Sequence, residues 1–319
     1  MASNERVAVG QRAWRRTDGH GKKNAGRGPL RCAADDSGRT DRRDWSGPSG
    51  NVARGLGRVL AFALMRWRLF MTEPLDGADN MALDEALLAR ARDSDECVLR
   101  VYAWATPTLS LGRHQRAVGV FDRAAERGVS VVRRLTGGRA VLHHREVTYS
   151  VTAPATRSDT LRASYASINI ILLDALQRLG VRAALAQPTE KRLPPPGSAP
   201  CFELPAPGEI VFGARKLVGS AQLRDGGAFL QHGSILIDDD QGRVAELSAA
   251  PIPISAPAAT LREALGRAPT LHEVADALFA AVRARGDARA QPFAGDETLE
   301  RAARVTRARY VDDLWTWRR

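Results

Sequence analysis

Apolar and polar positions alternate along Cys97-Val-Leu-Arg-Val-Tyr-Ala-Trp104, the two-residue period of a strand with one face against a core. The same period predicts strands at Trp67–Phe70, Glu209–Phe212, Arg215–Gln222 and Ala228–Ile237, and a short one at Val181–Leu185. Met81, Leu83, Leu87 and Leu88 fall instead at helical spacing, so Gly77–Arg92 reads as an amphipathic helix of about three to four turns, capped by Asp79 or Asn80. Asp84 and Glu85 are adjacent on it and point different ways, which favours a solvated face over an acid-base pair. Further helices are predicted at Phe121–Arg127, Leu161–Leu179 with Gly180 as its stop, Thr270–Arg285, and Glu297 toward Tyr310.

The stretch from Val129 to Ser150 is where chemistry concentrates. An apolar β-branched run and an alternating run flank Thr136-Gly137-Gly138, which predicts strand, tight turn, strand. Glycines at the turn let a ligand lie against backbone N–H groups, and Arg133, Arg134 and Arg139 place three cations around it. An anionic or strongly polarised guest fits such a turn; an ordinary hairpin with a basic tip has the same composition. Lys216 opens an otherwise apolar strand, and the small Gly219, Ser220 and Ala221 leave room beside it. A lysine at a strand edge, simply exposed, reads the same way. The proline cluster in Lys191–Phe202 excludes regular structure and holds an extended loop just before Cys201.

Composition narrows the classes. The chain has 319 residues, 44% of them hydrophobic and 26% charged, enough for a sizeable core. Of its net charge of +11, residues 1–64 carry +7, with 13 Lys and Arg against 6 Asp and Glu; the remainder holds 34 against 30. That surplus suits an acidic protein partner and falls short of the basic stripe of a nucleic-acid binder. Residues 1–64 are expected to form a disordered basic extension, with Met65 a candidate true start and an organelle-targeting peptide the alternative. The apolar run Val59–Leu64 is too short to span a bilayer, and no membrane role is expected. Cys32, Cys97 and Cys201 have neither metal-ligand spacing nor a paired framework, which suits a reducing cytoplasm. No metal is expected.

Taken in order, Asn80–Leu88, then Arg133-Arg-Leu-Thr-Gly-Gly-Arg-Ala-Val-Leu-His143 with Thr148-Tyr-Ser150, then Arg215–Gln222, resemble the superfamily of lipoate-protein ligases, octanoyltransferases and biotin-protein ligases. The resemblance covers residues 65–319 and implies one catalytic domain there: an α/β (α+β) fold with a mixed, largely antiparallel sheet flanked by helices. It implies an acyl chain held between the Gly-Gly turn and the lysine strand, with Arg133, Arg134, Thr136, Gly137, Gly138, Arg139, His143, Gly219, Ser220 and Ala221 as substrate-binding residues. Ligases of this group usually continue the turn with a third glycine, where this chain has Arg139. Pro200-Cys201-Phe202 is similar to the cysteine-dependent octanoyltransferases, which implies octanoyl-acyl carrier protein as donor and an apo lipoyl domain as acceptor. That acceptor would be the glycine-cleavage H protein or a 2-oxoacid dehydrogenase subunit. His144, where aspartate is common, and Ala214, where glycine is, depart from the pattern.

A thioester is already activated, so its transfer to an amine needs a nucleophile and oxyanion stabilisation, not ATP. Cys201 and Lys216 are the catalytic candidates: an ammonium beside the thiol raises the thiolate fraction. His143 is a candidate proton carrier or an ordinary hydrogen-bonded residue. Cys97, in an alternating strand, reads as a small core residue. No cofactor is expected of this reading. The rival, an ATP- and Mg-dependent lipoate or biotin ligase, would use the same turn and lysine on an acyl-adenylate and leave Cys201 idle. A non-catalytic binder is the third class. A monomer is the default.

Overall fold

The computed structural model describes residues 65–155, 160–187, 202, 205–249 and 257–318. The extension 1–64, Cys32, the proline-rich loop and Cys201 lie outside the described residues. Strand β1 (Arg66–Met71) is followed by helix α1 (Gly77–Arg92) and β2 (Glu96–Tyr102), which runs parallel to β1. On its other edge β1 pairs in parallel with β11 (Gln291–Phe293). From β2 onward every neighbour is antiparallel: β6 (Glu146–Pro154), β10 (Ala228–Leu236), β9 (Arg215–Asp225), β8 (Ile210–Phe212) and the two-residue β7 (Ala184–Leu185). The eight-stranded sheet is therefore mixed and largely antiparallel, as the resemblance implies.

One face of that sheet is apolar because alternate residues put Leu99 and Val101, Val147, Tyr149 and Val151, and Phe229 and Ile235 on it. Helices α3 (Leu161–Arg178) and α5 (Leu271–Arg285) cover it with Ile168, Leu172, Leu176, Val274, Leu278 and Val282. The two helices are also tied by Asp174, which accepts from Arg285 and Arg178. The other face is covered by α1, which itself packs on α6 (Glu297–Tyr310) through Leu83, Leu87 and Leu299. The cap of α1 is Asp76, whose carboxylate accepts from the Asp79 N–H at 2.7 Å. The helix begins earlier than its apolar spacing indicates, so Asn80 is left to donate to the carbonyls of Leu75 and Ala103 instead.

The expected Val129–Ser150 hairpin does not form. Strands β4 (Ser130–Arg133) and β5 (Val141–His143) both pair with β3 (Thr108–Leu111), β4 in parallel and β5 antiparallel, giving a separate sheet in the order β4-β3-β5. An earlier segment supplies the strand between them, a long-range pairing that local alternation does not reveal. The short helix α2 (Arg123–Glu126) packs Ala124 with Leu109, Leu111 and Leu142 under this sheet. Helices α4 (Leu261–Leu265) and α7 (Asp313–Thr316) complete the order. No helix among the described residues is long and apolar enough to cross a membrane.

Leu172 is 1% exposed between the sheet and α5. Leu172→Ala leaves a cavity there and is expected to cost about 2–5 kcal/mol, read as a lower denaturant midpoint at unchanged m value.

Candidate active site

The covered polar face of the large sheet is the floor of the site. Arg100 on β2, Ser150 on β6 and His232 on β10 are direct cross-strand partners, and Tyr102, Thr148 and Ser234 form the next row two residues along. A two-residue period keeps both rows on one face, toward α1. From α1, Asp84 reaches down to the first row. Its Oδ1 accepts from Arg100 Nη1 at 2.9 Å and Ser150 Oγ at 2.8 Å, and its Oδ2 from Tyr102 OH at 2.9 Å, with His232 Nδ1 at 3.1 Å.

Asp84 is 1% exposed, which corrects the solvated-face reading. A helix-spacing argument cannot see that the strands beneath carry an arginine and a histidine in register. Glu85, by contrast, turns to α6, where Arg309 and Tyr310 donate to it. Burial alone pushes the Asp84 carboxyl up, but the His232 hydrogen bond and the Arg100 charge outweigh it and hold the group below the usual carboxylate range. The Tyr102 phenol is pushed up by burial and then by the Asp84 charge, so it stays a donor.

Over this floor the small sheet and its turn form the roof, and between them lies a partly open pocket. Its wall includes Met81, Trp104 and Val141 as apolar surface, and Ser110, Arg134, His143, His232 and Ser234 as polar groups. Gly138 and the run Gly219-Ser220-Ala221 also line it, so the turn and the lysine strand do meet across one cavity.

Arg134, 5% exposed, builds the turn from inside. Its Nε donates to Thr136 Oγ1 at 3.2 Å, Nη1 to the Ser110 carbonyl at 2.9 Å and hydroxyl at 3.0 Å, and Nη2 to the Gly137 and Arg139 carbonyls at 2.8 Å each. Gly138 sits at φ +96°, open only to a residue without a side chain. A methyl group at Gly112, just after β3, would stand 2.1 Å from the Gly138 carbonyl oxygen, so the turn rests directly on that glycine.

Arg133 is not brought to the pocket. Its guanidinium donates to the carbonyls of Gly112 at 2.7 Å, Gln115 at 2.8 Å and Thr316 at 2.8 Å, pinning α7 to β4. Adjacent residues of a strand face opposite ways, so only one arginine of the pair can serve the cavity. The structure also separates the other expected residues by function. Thr136 hydrogen-bonds His232 Nε2 at 2.7 Å, Gly137 and Arg139 contribute carbonyls to Arg134, and His143 lines the cavity directly. His144 turns outward to Asp240 at 2.8 Å.

Lys216 is 4% exposed, not an edge residue, and donates to Glu209 Oε1 at 2.8 Å. Its ammonium lies 5.3 Å from the Phe202 ring. That ring would be 2.9 Å, and Lys216 Cε 3.3 Å, from a methyl group placed at Gly219. Cys97 is fully buried in the core and burial pushes its thiol far up, which removes it as a nucleophile. Among the described residues no group of His, Cys, Asp and Glu is placed to hold a metal.

Sequence reasoning missed Asp84, His232, Ser110, Glu146 and Glu209. Gln231-His-Gly-Ser234 on an otherwise apolar strand was the available signal for His232, since a buried strand carries polar residues only where partners await them.

Residues 76–283 match the lipoyl protein ligase A/B catalytic domain, and the chain belongs to that family. Within it, the octanoyltransferase LipM of Kyrpidia tusciae is 38% identical over 276 residues, covering 80% of this chain and all of that protein. The octanoyltransferase LipM of Brevibacillus brevis is 36% identical over 80% of this chain and 99% of its own length. The chain is accordingly an acyltransferase, an octanoyltransferase acting in protein lipoylation. In fold it is similar to Ta0514, a putative lipoate protein ligase from T. acidophilum with bound lipoic acid, at TM-score 0.63 and 22% identity over 79% of this chain and 100% of that one. Lipoate-protein ligase A bound with ATP gives 0.61 and 22% over 79% and 99%.

Removing the Asp84 charge leaves Arg100 buried beside a neutral group. Asp84→Asn is expected to destabilise the fold by about 3 kcal/mol at neutral pH. Because the folded carboxyl is held below its unfolded value, its stabilisation is full above about pH 4 and is lost as pH falls through the lower folded value. Chemical denaturation across pH 2–6 should therefore show a shallower acid decline in the variant.

Proposed function

We propose that this octanoyltransferase takes the octanoyl group from octanoyl-acyl carrier protein, carries it as a thioester on Cys201, and passes it to the lysine of an apo lipoyl domain. Neither ATP nor a metal enters. In the first step the Cys201 thiolate attacks the carrier thioester; a C–S bond forms, the carrier's C–S bond breaks, and the carrier thiolate leaves and takes a proton. In the second, the acceptor amine attacks the Cys201 thioester, an amide forms, and the Cys201 thiol is regenerated. Lys216 favours the thiolate and, with the Gly137-Gly138 turn, stabilises the oxyanion.

The observation that carries this reading is the burial of the Lys216 ammonium against the ring of Phe202, the residue that directly follows Cys201 in sequence. A cation in an apolar setting next to a cysteine depresses the thiol pKa. The buried Glu209 carboxylate accepts from the lysine at 2.8 Å and holds its ammonium in place. The E2 lipoyl domain that accompanies a bi-partite lipoate protein ligase from Thermoplasma acidophilum supports an acceptor of this kind.

Incubation with octanoyl-acyl carrier protein alone should give, by intact mass spectrometry, one octanoyl adduct that hydroxylamine removes and Cys201→Ala cannot form. Cys97→Ala should behave as wild type. Modification of the lipoyl domain by Cys201→Ala, dependent on ATP and free lipoate, would overturn the reading in favour of ligation. Lys216→Ala leaves Glu209 buried without its ion-pair partner, so it should be less stable, and the folded fraction should lose about two or more orders of magnitude in rate; near-full turnover of folded variant removes the lysine from the mechanism.

A further inference from the structure

Arg134 donates to two hydroxyls, Ser110 Oγ in the pocket wall and Thr136 Oγ1 at the turn. An arginine can only donate, so each hydroxyl uses a lone pair on Arg134 and must send its own proton elsewhere. For Ser110 the partner is His143 Nε2 at 2.8 Å; for Thr136 it is His232 Nε2 at 2.7 Å. With Nε2 accepting, each neutral imidazole carries its proton on Nδ1. That proton points to a carboxylate: Glu146 Oε1 at 3.2 Å from His143, Asp84 Oδ2 at 3.1 Å from His232. On the far side the Trp104 indole donates to Thr148 Oγ1 at 2.8 Å, and Thr148 donates to Glu146 Oε1 at 2.6 Å. The protein thus builds two hydroxyl–histidine–carboxylate chains of fixed direction.

The two differ in what stands behind the histidine. Both Asp84 oxygens accept two hydrogen bonds each, and the Arg100 guanidinium is ion-paired with the carboxylate. Glu146 is 5% exposed, and among the described residues its Oε2 is buried with no hydrogen-bond partner. Among the described residues, His143 is the ionisable group paired with it. A buried, half-satisfied carboxylate costs stability, so its presence calls for a functional explanation.

The geometry points to Ser110 and His143 as the base relay for the second step of transfer: Ser110 Oγ takes the proton from the attacking amine as its own proton passes to His143 Nε2. The inference rests on the thioester reading for its electrophile. As the N–C bond forms, the amine loses one proton through Ser110 to His143, Glu146 holds the imidazolium, and the C–S bond breaks. His143 then gives up its proton as the departing thiolate takes one up, regenerating the Cys201 thiol, so the enzyme ends as it began. Ser110 and His143 both line the cavity that holds the turn and Gly219-Ser220-Ala221. Burial, with the nearby Arg134 and His232, keeps the His143 imidazole below the ordinary histidine value against the pull of Glu146, so it is a free base at neutral pH.

The test separates loading from discharge. Octanoyl-enzyme formed from octanoyl-acyl carrier protein is isolated and mixed with apo lipoyl domain in a rapid-quench experiment. Relative to loading, discharge should fall about 100-fold in His143→Gln and at least about tenfold in Ser110→Ala, the range of general base catalysis. Ser110→Thr, which keeps the hydroxyl, should restore most of it. The groups facing His143 are Glu146 on β6, Arg134 beside β4, His232 on β10 and the Ser110 and Ser234 hydroxyls. Its protonation should therefore shrink the ratio of wild-type to His143→Gln discharge as pH drops below its lowered pKa. Folded variants whose discharge-to-loading ratio and pH dependence match wild type overturn the relay. If wild type forms no octanoyl-enzyme, the thioester reading fails instead, and the same pH-dependent ratio measured on overall transfer decides the relay.

Discussion

The guanidinium of Arg134 is the constraint on which the rest of the site depends. A planar fork of donors, buried at the end of β4, can be satisfied only if the Gly137 and Arg139 carbonyls turn inward and the Ser110 and Thr136 hydroxyls stand on either side. Each of those acceptors belongs to a different part of the roof. One cation therefore sets the shape of the glycine turn, fixes its distance from β3, and orients the protons of both histidine chains. A lysine at this place, with a single point of charge and no fork, would satisfy fewer of these partners and fix none of their planes.

Beneath it the large sheet supplies the matching half by register alone. The same alternation that makes one face apolar for α3 and α5 delivers Arg100, Ser150 and His232 as neighbours on the other. Burying so much polarity is unfavourable unless it is paired, and at Asp84 it is: four donors meet two oxygens. The site is rigid here because every removal leaves something buried and unpaired. Glu146 differs in that one of its carboxylate oxygens is buried without a hydrogen-bond partner among the described residues, and the contrast between the two carboxylates is what distinguishes a structural chain from a chemical one.

The legibility of this architecture in the sequence follows the range of the interactions. The helix at Leu161–Arg178 and the strands β8, β9 and β10 are set by local period and local turns, and the alternation displays them. Lys216 and the Gly219-Ser220-Ala221 run were recognisable because a cation amid apolar and small residues is locally odd. Local alternation from Val129 to Ser150 suggests a hairpin but cannot reveal that the strand between its two arms, Thr108–Leu111, pairs from about twenty residues upstream. Arg133 and Arg134 look identical in sequence; which one faces the cavity depends on the pleat and on a carbonyl at Thr316. Asp84 was placed in solvent because helical spacing describes the helix and not the strands it lands on.

The bond from Arg133 to Thr316 joins positions 183 residues apart, and the Trp315 indole returns a second one to the Arg133 carbonyl. The β4 end of the roof is thus held by residues far downstream of it. Since proteins fold progressively as they emerge, the glycine turn, both histidines and the lysine strand leave the ribosome well before Trp315 and Thr316. A nascent chain therefore passes through a stage with its polar floor laid and its roof unsecured, and closure of the cavity waits on the arrival of those two residues.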